Sequence, residues 1–189
     1  MKYKNIKLGL LLSSLLAMAN AANIAYVPKD IPGDTNTAGA GKQWPVNRFV
    51  ESGNCVIDNL TGLMWAKKGD LLGTGTWGSS SVAGTAQYKV SQMNTNVSAT
   101  GYHLCGYSDW RLPNINELMS LVNYAAKQND TTPAAWLNLQ GFSNVQAIRY
   151  WSSTKYDNNN AWRVSFNSGN SSYDSVGGTD YIWPVRGGK

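Results

Sequence analysis

Hydrophobic and polar positions alternate most clearly near the end of the chain. Trp162, Val164 and Phe166 fall on one side of a period of two, with Arg163 and Ser165 on the other, as in a strand with one buried face. The final segment repeats the alternation, Tyr181, Trp183 and Val185 opposing Ile182, Pro184 and Arg186. Pro184 cannot donate to a ladder, so an edge or a bulge is expected there. Further back, residues 48–57 and 63–66 read as two strands about the turn Asp58-Asn59-Leu60-Thr61-Gly62, where Asp58 and Asn59 can close side-chain turns and Gly62 supplies positive φ.

Between these strand regions the period changes. Asn114 follows Pro113 and precedes Glu117 by three residues, a capping-box pair, and Ile115, Leu118, Met119, Val122 and Ala126 form an apolar stripe. Thr85 is a candidate N-cap for an earlier, shorter helix to about Asn94, after a Gly/Ser-rich loop over residues 67–84. Residues 129–147 show no period, and Trp136, Leu137 and Leu139 are expected to fold back as a hydrophobic plug. The expected class is α+β: two helices packed against short antiparallel sheets with long loops.

The N-terminus changes the charge argument. Lys2, Lys4 and Lys7 precede an apolar run from Leu8 to Met18, and Ala19-Asn20-Ala21 is a small-x-small site, the pattern of a signal peptide over residues 1–21. The expected location is outside the cytoplasm: the medium, the outer surface or the periplasm. No transmembrane segment is expected once the signal is removed. Residues 22–47 read as an extended lead, interrupted by Pro28, Pro32, Gly33, Gly39, Gly41 and Pro45, and residues 48–189 as one domain.

The whole chain carries 16 basic and 11 acidic residues. Three of the cations leave with the signal, so the mature charge falls to about +2 and gives no ground for a nucleic-acid partner. A mild basic face remains conceivable in the C-terminal third, where Lys127, Arg149, Lys155, Arg163, Arg186 and Lys189 meet Asp130, Asp157, Asp174 and Asp180; scattered solvated charge is the plainer reading.

Cys55 and Cys105 are the only cysteines. In an exported chain an isolated pair is most simply a disulfide, here stapling the first hairpin to the segment before the second helix. The rival, a redox or metal-binding pair, lacks a nearby cysteine or a second histidine. His103 is the sole histidine, which excludes zinc sites with several imidazoles. Asp109 lies six residues away, but no Gly-x-Ser-x-Gly elbow, dinucleotide fingerprint or phosphate loop appears. The expected catalytic set is empty.

Two segments remain distinctive. Asp109 to Leu118, "DWRLPNINEL", has an architectural explanation: Trp110 packs, Arg111 bridges carboxylates or carbonyls, and Pro113 ends the extended segment before the helix. Trp65 and Trp151 are read as core in the same way. Residues 154–180 are rich in Asn, Ser, Asp, Gly and Tyr, a composition that suits adaptable recognition surfaces. It also suits plain turns, and an Asp/Asn cluster can hold Ca²⁺ although no Asp-x-Asp-x-Asp-Gly loop is present. The candidate ligand-binding residues are Lys155, Tyr156, Asn158, Asn160, Arg163, Tyr173 and Arg186, with Arg149 as a further cation.

In order along the chain, "DNLTGLMWAKK" (Asp58 to Lys68), "GYSDWRLPNINELMSLV" (Gly106 to Val122), "YWSSTKYDNNNAWRVSFNSGN" (Tyr150 to Asn170) and the terminal "YIWPVRGGK" resemble the Lcl C-terminal domain family. The resemblance implies a C-type-lectin-like fold and an adhesin-like binding module for glycans such as sulfated glycosaminoglycans, or for a host or surface protein. Formylglycine-generating enzymes share that fold, but their cysteine pair serves a copper site. The chain departs from the collagen-bearing adhesin in having no Gly-x-y repeats, so a trimerising stalk and its avidity are missing; an oligomer of another kind stays open. A structural or assembly subunit of a surface appendage is the alternative, and a hydrolase the remotest reading.

Overall fold

The computed structural model describes residue 45, residues 47–124 and residues 131–187. The signal-like segment, nearly all of the lead, Ala126, Lys127, Asp130 and Lys189 lie outside the described residues.

Among the described residues nine strands build two sheets. In the first, β1 (Phe49–Ser52), β2 (Cys55–Asp58), β3 (Leu63–Ala66) and β9 (Val185–Gly187) pair antiparallel in that order. The second has the order β4-β8-β5-β6-β7, from β4 (Thr74–Thr76), β5 (Arg149–Lys155), β6 (Asn160–Ser165), β7 (Ser171–Ser175) and β8 (Thr179–Tyr181). It is mixed rather than purely antiparallel, because β5 and β8 run parallel where Tyr150 meets Tyr181.

Two strand expectations are corrected. Residues 48–57 form most of a hairpin instead of one strand: Gly53 takes φ 60° at the first central position of a two-residue loop, the place where a type II′ turn needs glycine. The terminal alternation also spans two strands. After β8 the chain leaves the second sheet, and Ile182, Trp183 and Pro184 carry it to β9 in the first. Pro184 sits at this crossing, where its missing N–H costs no ladder bond.

Both faces of the second sheet are covered, so consecutive residues can both be core. Trp183 joins Val56, Trp65, Leu118, Leu121, Leu137, Tyr150, Val164 and Phe166 in one cluster. Ile182 belongs to the other, with Met64, Val90, Met93, Trp110, Leu112, Trp151 and Ala161. Trp65, Trp151 and Trp183 are fully buried, as expected of the first two. The indole N–H of Trp183 donates to the Ala66 carbonyl at 2.8 Å, and that of Trp151 to Gly75 at 2.9 Å.

Helix α1 (Ala86–Thr95) is capped by Thr85, whose hydroxyl accepts from the Tyr88 N–H. Helix α2 (Ile115–Ser120) has the expected capping box: Asn114 Oδ1 accepts from the Glu117 N–H at 2.9 Å and Glu117 accepts from the Asn114 N–H at 2.7 Å. Arg111 donates both guanidinium arms to the same carboxylate at 2.7 and 2.6 Å and reaches the Gly187 carbonyl at 3.0 Å. Helix entrance and last strand are thereby locked together. The helix ends earlier than the stripe predicted, and Val122 is buried from beyond its end.

A third helix replaces the expected plug. In α3 (Pro133–Asn138) Thr132 caps the N-terminus and Pro133 occupies the first turn, where its lost N–H would be unpaired anyway. Leu137 is buried and Trp136 packs at the edge of the core, but Leu139 is 78% exposed.

The Cys55–Cys105 disulfide is formed, with 6.4 Å between Cα atoms. It joins β2 to a 3-10 turn at Leu104–Gly106 before α2, the staple expected. A second tie is a buried ion pair: Arg48 donates to both Asp58 oxygens at 3.0 and 2.8 Å and to the Ser120 carbonyl at 2.7 Å.

Candidate functional site

The polar segment of residues 154–180 forms the outer part of the second sheet, where β5, β6 and β7 are joined by short loops. A register shift between Trp151 and Lys155 interrupts the β5–β6 pairing. Ser152, buried at this irregularity, donates its hydroxyl to the Trp162 carbonyl at 2.7 Å. At the tip, Asp157 accepts from the backbone N–H groups of Asn159 and Asn160, both at 2.8 Å, and from the Asn160 side-chain amide at 2.9 Å. These donors, the Asn160 side chain foremost, hold the Asp157 carboxyl below its usual pKa. The loop is a closed Asx-type turn.

Pairing register then decides which side chains share a face. Lys155, Ala161 and Asp174 form one cross-strand row, and Trp151, Arg163 and Ser172 another on the same side. Trp162 and Tyr173 are opposite each other in the row between, on the reverse face. The seven candidate residues therefore do not make one surface.

On the first face Arg163 is engaged. It contacts the Asp174 carboxylate, reaches Asp180 at 3.2 Å and meets the Ser172 hydroxyl at 3.3 Å. Its place on the polar side of the alternation does not leave the guanidinium free for a ligand, because the adjacent strands bring carboxylates to that same face. Burial raises the pKa of Asp180 despite Arg163. The Lys155 ammonium lies 5.6 Å above the Trp77 ring, within cation–π reach. Arg186 is elsewhere again, in the first sheet, where it donates to Asp109 at 2.6 and 3.2 Å and stacks 3.6 Å above the Tyr107 ring.

The reverse face gathers aromatic rings. Tyr156 and Tyr173 stack in parallel, centroids 3.9 Å apart with 1° between planes. Trp162 meets both edge-on, at 5.5 and 5.8 Å with interplanar angles of 82° and 83°. Each tyrosine stays 49% exposed while Trp162 is part-buried. Interaction with Tyr173, first of charge and then of hydrogen bonding, raises the Tyr156 pKa. Asn158 is exposed at the tip, and Asn160, Ser171 and Ser175 are on the aromatic side by register.

Trp162, expected in the core, is only part-buried, and the cation–π contact of Trp77 with Lys155 has no counterpart in the sequence pattern. The sequence carries a signal for Trp162: a turn-rich run follows β5 and brings Tyr156 beside Asn160, and Tyr173 lies directly opposite Trp162 on β7.

The other candidates make contacts within the fold. His103 is exposed in a left-handed conformation at φ 45°, its ring stacked 3.9 Å from Tyr102 and its Nε2 3.2 Å from the Asn94 carbonyl. The nearby acid in sequence, Asp109, holds Arg186. Among the described residues no group of three or more His, Cys, Asp or Glu side chains could hold a metal ion, and no helix is long and apolar enough to cross a membrane. A shallow depression of about 230 Å³ is lined by Thr61, Leu63, Asn114, Asn116, Glu117 and Ser120; its one acid is already held by Arg111.

The family model for the Lcl C-terminal domain matches residues 54–186. The chain belongs to the Lcl C-terminal domain family. Both cysteines and, among the described residues, all three α-helices and every strand but β1 and the last residue of β9 fall wholly within that match, so the aromatic face is part of the Lcl C-terminal domain itself. No curated protein matches the chain.

Proposed function

We propose that this Lcl C-terminal domain is an exported, adhesin-like binding module with a C-type-lectin-like arrangement, and that it takes a glycan on the outer part of the second sheet. The observation carrying this reading is the half-exposed Tyr156–Tyr173 pair seated on Trp162. Large rings left in water on a rigid sheet make a recognition surface at small entropic cost, because tyrosine has only two side-chain torsions to fix. Polar groups of Asn158, Asn160, Ser171 and Ser175 surround the rings and offer hydrogen bonds to hydroxyl-rich ligands. The signal-like N-terminus and the disulfide both suit an oxidising compartment.

Screening the purified protein on a glycan array and on immobilised heparin at two salt concentrations tests the proposal. Retention by a defined set of sugars is expected. A protein that binds no glycan in either format contradicts it and returns attention to a protein ligand or an assembly role.

A further inference from the structure

The charge around the aromatic face narrows the class of glycan, an inference that rests on the glycan reading above. The described residues hold nine Lys and Arg against eight Asp and Glu. Six of those nine cations sit within ion-pair distance of a carboxylate. Of the other three, Lys89 donates to the Leu72 and Thr74 carbonyls, Lys155 lies over Trp77 on the opposite face from the tyrosines, and Arg149 is exposed at the far end of β5. Three ionised groups adjoin the tyrosines in sequence: Lys155 and Asp174 belong by register to the opposite face, and Asp157 is a carboxylate whose charge bears on Tyr156. A sulfate or uronate placed on this face would meet negative charge and, among the described residues, no cation facing it.

The rings offer something different. In parallel stacking each tyrosine covers one ring face with its partner, so its 49% exposure comes from the other face and the edges, and Trp162 packs against both rings. An aromatic face is the negative lobe of the ring quadrupole, and the polarised C–H bonds on the flat side of a pyranose complement it. On the same side by register, Asn160, Ser171 and Ser175 present groups suited to sugar hydroxyls.

We propose that the Tyr156–Tyr173 pair on Trp162 is a stacking site for an uncharged pyranose of an oligosaccharide, in preference to a sulfated one. The test compares binding of neutral galactose-, glucose- and N-acetylglucosamine-containing oligosaccharides with binding of heparin, by calorimetry at low and high salt, for the wild type, Tyr173→Ala and Tyr173→Phe. Circular dichroism and thermal midpoint verify that each variant is folded.

At least one neutral oligosaccharide should bind with an affinity that changes less than about twofold with salt, since no ion pair is screened. Tyr173→Ala should weaken it about tenfold or more, and Tyr173→Phe, which keeps the ring, should recover most of that loss. Salt-sensitive binding of heparin alone, indifferent to Tyr173→Ala, overturns this inference while leaving a glycan-binding module. Binding of neutral sugar that survives Tyr173→Ala in a folded protein overturns the assignment of the site. Absence of all glycan binding overturns both proposals.

Discussion

Arg163 and Asp180 lie 3.2 Å apart on the face of the second sheet opposite the tyrosine pair, with side chains only 13% and 5% exposed. Asp180 has lost most of its water, so Arg163 is what makes its charge tolerable there. Truncating one partner of such a pair leaves an unpaired buried charge.

Arg163→Ala is therefore expected to lower stability by about 3 kcal/mol at neutral pH, measured by denaturant unfolding. The sign of the pH dependence follows from Asp180, whose folded pKa is already raised by burial and rises further without Arg163. A carboxyl with a raised folded pKa favours the folded state when protonated. The deficit of the variant should shrink as pH falls through that raised value, and Asp180→Asn added to Arg163→Ala should recover stability at neutral pH. A deficit independent of both changes would mean that Arg163 acts through packing alone.

Leu118 is fully buried at the meeting of α2 with both sheets. Leu118→Ala should cost roughly 2–5 kcal/mol by opening a cavity, seen as a lowered thermal midpoint. An unchanged midpoint would contradict the packing described for α2.

The disulfide joins residues 50 positions apart, and closing such a loop contributes about 4 kcal/mol in the chain-entropy model. Thiol titration of the denatured, unreduced protein should find almost none, and reduction should lower the unfolding midpoint markedly. Two free thiols would remove the staple from the account.

Glu117 gives the opposite pH signature to Asp180. Burial pushes its carboxyl up, but the Arg111 hydrogen bonds, the Asn114 N–H and the Arg111 charge together hold it below its ordinary value. Its contribution is present above the unfolded pKa and is lost as pH falls through the lower folded one. Glu117→Gln should thus destabilise at neutral pH and flatten the acid limb of the stability profile. An acid limb identical to that of the wild type would show that another carboxyl governs it.

Local features were legible where chemistry and spacing coincide within a few residues. The Asn114–Glu117 capping box, the Thr85 cap and the Asp58–Gly62 turn are of this kind. The Thr132-Pro133 start of α3 carried an equally local signal that the apparent lack of period obscured. Pairing between distant segments was not legible: that Ile182 to Pro184 passes between two sheets depends on which strands each end joins. The same limit governs the candidate site. Alternation along β6 correctly separates Arg163 from Trp162, but which face is buried depends on Asp174, Asp180, Tyr156 and Tyr173 arriving from other strands. A residue on the polar side of a pattern is consequently neutralised, and a tryptophan on the apolar side is only part-buried.

The aromatic face is the central claim, and chemical-shift mapping tests it most directly. Titrating the isotopically labelled protein with the oligosaccharide that binds best should shift the ring and backbone resonances of Tyr156, Trp162 and Tyr173, together with the amides of Asn158 to Asn160 and Ser171 to Ser175. The resonances of Arg186 in the first sheet, and of Tyr107 and Asp109 that contact it, should stay in place. Shifts gathered around Arg186 while the three aromatic residues remain unmoved would contradict the account.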